Sequence, residues 1–151
     1  MTGPDEIMTA IGAATEAGHR GDRAGARQQF AQIWSRIGPG GDALHRCGLA
    51  HAMADVQDDP REELVWDLRA LEAADSVTEA RAQAAGVIGT VAGFYPSLHL
   101  NLGEAYRKIG NLDAAREHLA LGEAAVDALE DSPYGAMIRR GLAGLADRLD
   151  V

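Results

Sequence analysis

Apolar residues recur along this chain at spacings of three and four, the mark of amphipathic helices. No segment alternates with the period of two that a half-buried strand needs. Ile7, Ile11 and Ala14 share one face of a first helix over about 4–19. There Pro4 suits the first turn, and Asp5 and Glu6 complement the positive end of the helix dipole. Gly21-Asp22 stops the chain and restarts it, and Ala26, Phe30, Ile33 and Ile37 stripe a second helix over about 22–36. Gly38-Pro39-Gly40-Gly41 breaks that helix. Asp42 is placed to cap a third, which reaches about 56 with Leu49, Met53 and Val56 flanked by Ala50 and Ala54. Asp58-Asp59-Pro60 ends it and opens a fourth, about 60–74, striped by Leu64, Leu68 and Leu71, with Trp66 off the stripe.

The pattern fails between Asp75 and Gly93. Ser76 or Thr78 can cap a short helix through about 85, after which Gly86, Gly89 and Gly93 predict a loop or broken helix. Pro96 then opens a clear helix over about 97–109, and Gly110-Asn111 breaks it. A long helix follows over about 112–129. Ser132-Pro133 is a cap and first-turn pair for a last helix to about 149, where Ile138, Leu142, Leu145 and Leu149 are spaced four, three and four. The fold class is therefore all-α.

Helix pairs joined by short turns raise the question of a repeat. Over Pro96–Asp127, Leu102-Gly103, Tyr106, Gly110, Ala115, Leu119 and Gly122 stand at set intervals. This segment resembles a tetratricopeptide repeat (TPR). Small residues at Gly103, Ala115 and Gly122 let helix backbones approach, while Tyr106 and Leu119 fill between them. His99 departs from the family, which usually places a large aromatic there. Degenerate copies lie upstream. One carries Ala13-Ala14, Ala17, Gly21, Ala26, Phe30 and Ile33, the other Leu49-Ala50 and Met53. The corresponding turns, Gly21, Asp58 and Gly110, are 37 and 52 residues apart, against about 34 in a regular array. The excess coincides with the unpatterned segment. The resemblance thus implies one domain over 1–151: a right-handed array of about three helical hairpins, with repeats at about 4–37, 42–74 and 96–129. An insertion at about 76–94 interrupts it, and a capping helix at about 132–149 covers the last apolar face.

Composition narrows the function. The chain has 29 Ala and 18 Gly, and its 14 basic against 23 acidic side chains leave a net charge of −9. Lys108 is the single lysine. Phosphate contacts need clustered Lys and Arg, so nucleic acid and anionic membranes are excluded as expected partners, and a basic partner is weakly favoured. The lone Cys47 allows no internal disulfide. The opening Met1-Thr2-Gly3-Pro4-Asp5-Glu6 has no basic region before an apolar stretch, and no run approaches a membrane helix, so a cytoplasmic protein is expected.

In the TPR family the first helix of each repeat lines a concave groove. By that resemblance Leu100, Asn101, Glu104 and Lys108 face inward from the third repeat, Cys47, Gly48, His51 and Asp55 from the second, and Ile11, Gly12, Thr15 and His19 from the first. Cys47, His51 and Asp55 also form an i, i+4, i+8 stripe. Their types suit zinc or a Cys–His pair, but the stripe runs about 12 Å along the helix axis, too far for one ion, so no metal site is expected. No nucleophile–base–orienter set is recognisable, so no catalytic residue and no cofactor are expected. Asn101 suits a peptide backbone, since its amide donates and accepts. A single lysine argues against the family's carboxylate clamp. Gly86-Val87-Ile88-Gly89-Thr90-Val91-Ala92-Gly93 lacks the Lys-Ser/Thr of a phosphate loop. Through Val87, Ile88, Val91, Phe94 and Tyr95 it reads equally as a lid, a dimer contact, or a connector over core. Arg139, Arg140 and Arg148 on the last helix need no anion, because the helix dipole accounts for Arg148.

The expected function is a non-catalytic protein- or peptide-binding scaffold using that groove, with homodimerisation compatible. The alternative is a small-molecule sensor or sequestering protein whose pocket is closed by the Gly-rich segment 86–93.

Overall fold

In a computed structural model the chain is all-helical, with eight α-helices, two 3-10 turns and no strand among the described residues, 5–151. Pro4 and the start of the first repeat at residue 4 lie outside them. The chain forms two compact units, Met1–Val77 and Thr78–Val151. The division falls at the edge of the unpatterned segment. No described helix is long and apolar enough to cross a membrane.

The first unit holds α1 (Glu6–His19), α2 (Arg23–Ile37), α3 (Ala43–Asp55) and α4 (Pro60–Ala74). Each begins on an aspartate that satisfies first-turn N–H groups. Asp5 accepts from Ile7 and Met8, Asp22 from Gly25, Asp42 from Leu44 and His45, and Asp59 from Arg61. These carboxylates also meet the positive end of each dipole. Helices α1 and α2 pair, α3 and α4 pair, and α3 packs on both helices of the first pair. The core joins Ile11, Ala14, Ala26, Phe30, Ile33, Leu49, Met53 and Val56. Two arginines of α2 hold the end of α3. Arg23 donates to the carbonyls of Asp55 (3.2 Å) and Gln57 (3.0 Å), Arg27 to that of Val56 (2.7 Å), and both reach Asp58. Cations there complement the negative end of the dipole. On α4 the predicted Leu stripe is not the buried face. Leu68 is 41% exposed and Leu64 and Leu71 are half-buried, whereas Asp67, Ala70, Ala73 and Ala74 are buried. Alanine permits close helix approach, so small side chains mark the contact and the leucines flank it.

The second unit contains α5 (Glu79–Ala84), a 3-10 turn Val91–Phe94, α6 (Tyr95–Lys108), α7 (Leu112–Ala124), a 3-10 turn Val126–Ala128 and α8 (Pro133–Arg148). Thr78, not Ser76, caps α5, and Asn111 and Ser132 cap α7 and α8. The predicted long helix over 112–129 is cut at Ala124. Leu129 is extended and buried, and Arg139 donates to the carbonyl of Val126 at 3.1 Å. Tertiary packing overrides helix propensity there. Helices α6 and α7 pair, and α8 packs on both. The close approach expected of the small residues is present. A Cβ at Gly103 would come within 2.6 Å of Leu145 Cδ2, and one at Gly122 within 2.9 Å of Leu142 Cδ2 and 3.5 Å of the Pro96 carbonyl.

Candidate functional site

The residues expected to line one groove occupy different environments. In the first unit Ile11 and Cys47 are buried core, Thr15, Gly48 and His51 are half-buried, and Gly12, His19 and Asp55 are exposed. The Thr15 hydroxyl donates to the Ile11 carbonyl at 2.8 Å. Burial pushes the Cys47 thiol up to about 11, against a smaller downward pull from Arg46. A thiol held protonated is neither a nucleophile nor a ready metal ligand at neutral pH. No group of three metal-binding side chains occurs among the described residues, so Cys47, His51 and Asp55 do not converge.

In the second unit, Leu100 and Glu104 are turned onto α8. Leu100 packs with the α7–α8 core, and a Cβ at Gly141 of α8 would come within 2.6 Å of it. Glu104 is held between Arg107, at 3.0 Å, and Arg148 of α8. Burial alone would raise the Glu104 carboxyl, but hydrogen bonds and charge from Arg148 and Arg107 outweigh it and lower the pKa. Asn101 is half-buried and Lys108 exposed. Two of the four expected groove positions therefore serve the seam with the terminal helix.

One polar feature escaped the pattern. His99 on α6 and His118 on α7 bring their Nδ1 atoms to 3.0 Å. Tyr95 stacks on His99 and Tyr106 on His118, making a ladder of four rings. The His99 position, where the resemblance lacked its aromatic, was the available signal. Burial lowers the His118 pKa, partly offset by Glu117.

A concavity of this unit lies elsewhere. Segment 88–94 and, at 128–134, the α7–α8 connection with the start of α8 line an open cleft of about 450 Å³. Gly86 and Gly89 have φ of +79° and +87°, conformations that side chains rarely adopt. They bracket Val87-Ile88 and leave Ile88 87% exposed. Val91 is buried, and its N–H donates to the Glu79 carboxylate at 2.9 Å. Val87, Phe94 and Tyr95 are half-buried, so the five residues read as a lid, a dimer contact or a connector differ in exposure. The two lining segments touch: a Cβ at Gly93 would come within 3.3 Å of the Ala128 carbonyl, and one at Gly89 within 3.4 Å of Glu130 Oε1. Phe94, Leu129, Pro133 and Tyr134 make the lining apolar, and Glu130 is its one carboxylate. Tyr134 is 50% exposed, as is Met137, one turn further along α8, at 51%.

Comparison with protein-family models, with curated proteins and with solved structures finds no match to this chain.

Proposed function

We propose that the chain is a non-catalytic binding protein of degenerate TPR-like hairpins, and that it seats an apolar side chain of a basic protein segment in the cleft at 88–94 and 128–134. The cleft carries this reading: it is apolar, holds one carboxylate, and carries Ile88 largely exposed and Tyr134 half-exposed. Exposed large apolar groups gathered in one place mark interaction sites more than isolated ones do. The net charge of −9 favours a basic partner. The packing of α3 on both α1 and α2, and of α8 on both α6 and α7, is in keeping with hairpin repeats and a terminal cap, and the right-handed array is what the TPR resemblance implies. The protonated Cys47 and the doubly paired Glu104 leave neither of these two side chains poised as a nucleophile or a base.

The test is selection from a random peptide library, followed by fluorescence polarisation on the selected sequences. Selected peptides are expected to combine a large apolar residue with Lys or Arg. They should lose about tenfold or more in affinity to Ile88→Asp and Tyr134→Ser variants, as anchor residues dominate binding. Binding indifferent to both substitutions would overturn the reading. A cleft of about 450 Å³ is also within the range for a small molecule. A metabolite seen by native mass spectrometry in the wild type and lost in both variants would decide for that alternative.

A further inference from the structure

The first unit contains both tryptophans of the chain, and they meet. Trp34 of α2 and Trp66 of α4 stand edge to face, ring centres 5.2 Å apart and planes at 87°. Both pack against the core and are half-buried, so the two indoles form a fixed right-angled corner with some surface open to solvent. A cation already occupies it. The Arg69 guanidinium carbon lies 4.5 Å from the Trp66 ring centre and 5.6 Å from that of Trp34. Arg69 is exposed, and among the described residues no hydrogen bond or ion pair holds it. Its five N–H donors are left to solvent and only the indole faces retain it, unlike Arg23 and Arg27, which are pinned by carbonyls and Asp58.

We propose that the Trp34–Trp66 corner is a seat for an arginine side chain of a basic partner, and that Arg69 is its tethered, displaceable occupant. The corner has the size and the negative ring faces that a guanidinium needs, as its present occupant demonstrates. Replacing one guanidinium by another leaves the cation–π contact unchanged. The bound partner's other contacts then decide the exchange, and Arg69 acts as a threshold that a lone arginine does not pass easily. The unit's 13 acidic against 7 basic side chains favour the approach of a cation.

The test follows the two indole N–H signals by NMR during titration with N-acetyl-arginine amide, with the neutral isostere N-acetyl-citrulline amide as control. Arg69→Gln and Arg69→Ala should give indole N–H shifts that saturate at lower ligand concentration than in the wild type, since the tethered guanidinium that occupies the corner no longer competes for it. Citrulline amide should give none, and Trp66→Leu should abolish the shifts of Trp34. The proposal fails if the Arg69 variants bind no better than the wild type, or if the shifts persist in Trp66→Leu. The seat and the cleft share no residue, so Ile88→Asp and Tyr134→Ser are expected to leave this titration unchanged. Failure here does not count against the cleft, nor the reverse.

Discussion

The two units reach helical packing by different means. In the first, charged aspartate caps start all four helices, and the core is filled by side chains of varied shape, Phe30, Ile33 and Met53 among them. In the second, the caps are neutral, the core is mostly leucine, and glycines at 103, 122 and 141 let the helices close on one another. The second unit also spends residues on a segment without period, and that segment builds the cleft. The difference separates two tasks. Regular amphipathic spacing yields a packed scaffold, and departure from it yields a concavity.

The comparison is most directly broken through the cores. Phe30 is wholly buried, and Phe30→Ala is expected to cost about 3–5 kcal/mol. In hydrogen exchange, α1–α4 should lose protection before α6–α8. Equal loss in both units would show that they do not respond separately. Gly103→Val should cost about 1–3 kcal/mol by overpacking against Leu145, read by denaturant melts. Here the loss of protection should fall on α6–α8, reversing the pattern of Phe30→Ala.

Acidity should act on the second unit through two groups whose folded pKa values are depressed. For the Glu104 carboxyl, the stabilisation is present above its unfolded pKa of about 4.3 and is lost as pH falls through the lower folded value. For His118 the sign is the same, because burial favours the neutral ring. Its contribution is full above about 6.5 and declines as pH falls through the folded value. The stability difference between wild type and Glu104→Gln should therefore narrow only below the ordinary carboxylate range. That between wild type and His118→Gln should narrow already in mild acid. Urea melts across pH check both, and a gap independent of pH would contradict the assignment. The smallest effect concerns Cys47. A thiol raised to about 11 by burial should label with a disulfide reagent at neutral pH far more slowly in the native protein than in urea. Rapid native labelling would place it outside the core.

Much of the scaffold is legible from local chemistry. Pro60 and Ser132-Pro133 begin helices, Gly110-Asn111 separates two, and the stripe of Phe30 and Ile33 faces the core, because each signal depends on neighbours within one turn or two. The end of α7 was hidden, since near Ala125 only Gly122 weakens the helix locally, and the break goes with Leu129, extended and buried, further along the chain. The same holds for the cleft, whose walls come from segments some forty residues apart. On α4 the eye follows leucine, while the contact is made by alanine. Trp66, off that leucine stripe, finds its reason in Trp34 and Arg69 on the helix surface. Glu104 was legible as a polar position on α6, but its partner Arg148 is 44 residues away.

The arginine bracket at the end of α3 bears on the order of events in folding. Contacts within each helical hairpin are short in sequence and close quickly. The bonds from Arg23 and Arg27 reach over 29 to 35 residues, and their carbonyl acceptors are in place only once α3 has formed and terminated. Their long reach in sequence predicts that they form on the late side of the barrier. Interactions made there govern how slowly a protein opens and have little influence on how fast it forms. The bracket is thus a brake on unfolding, set where the second hairpin of the first unit meets the first.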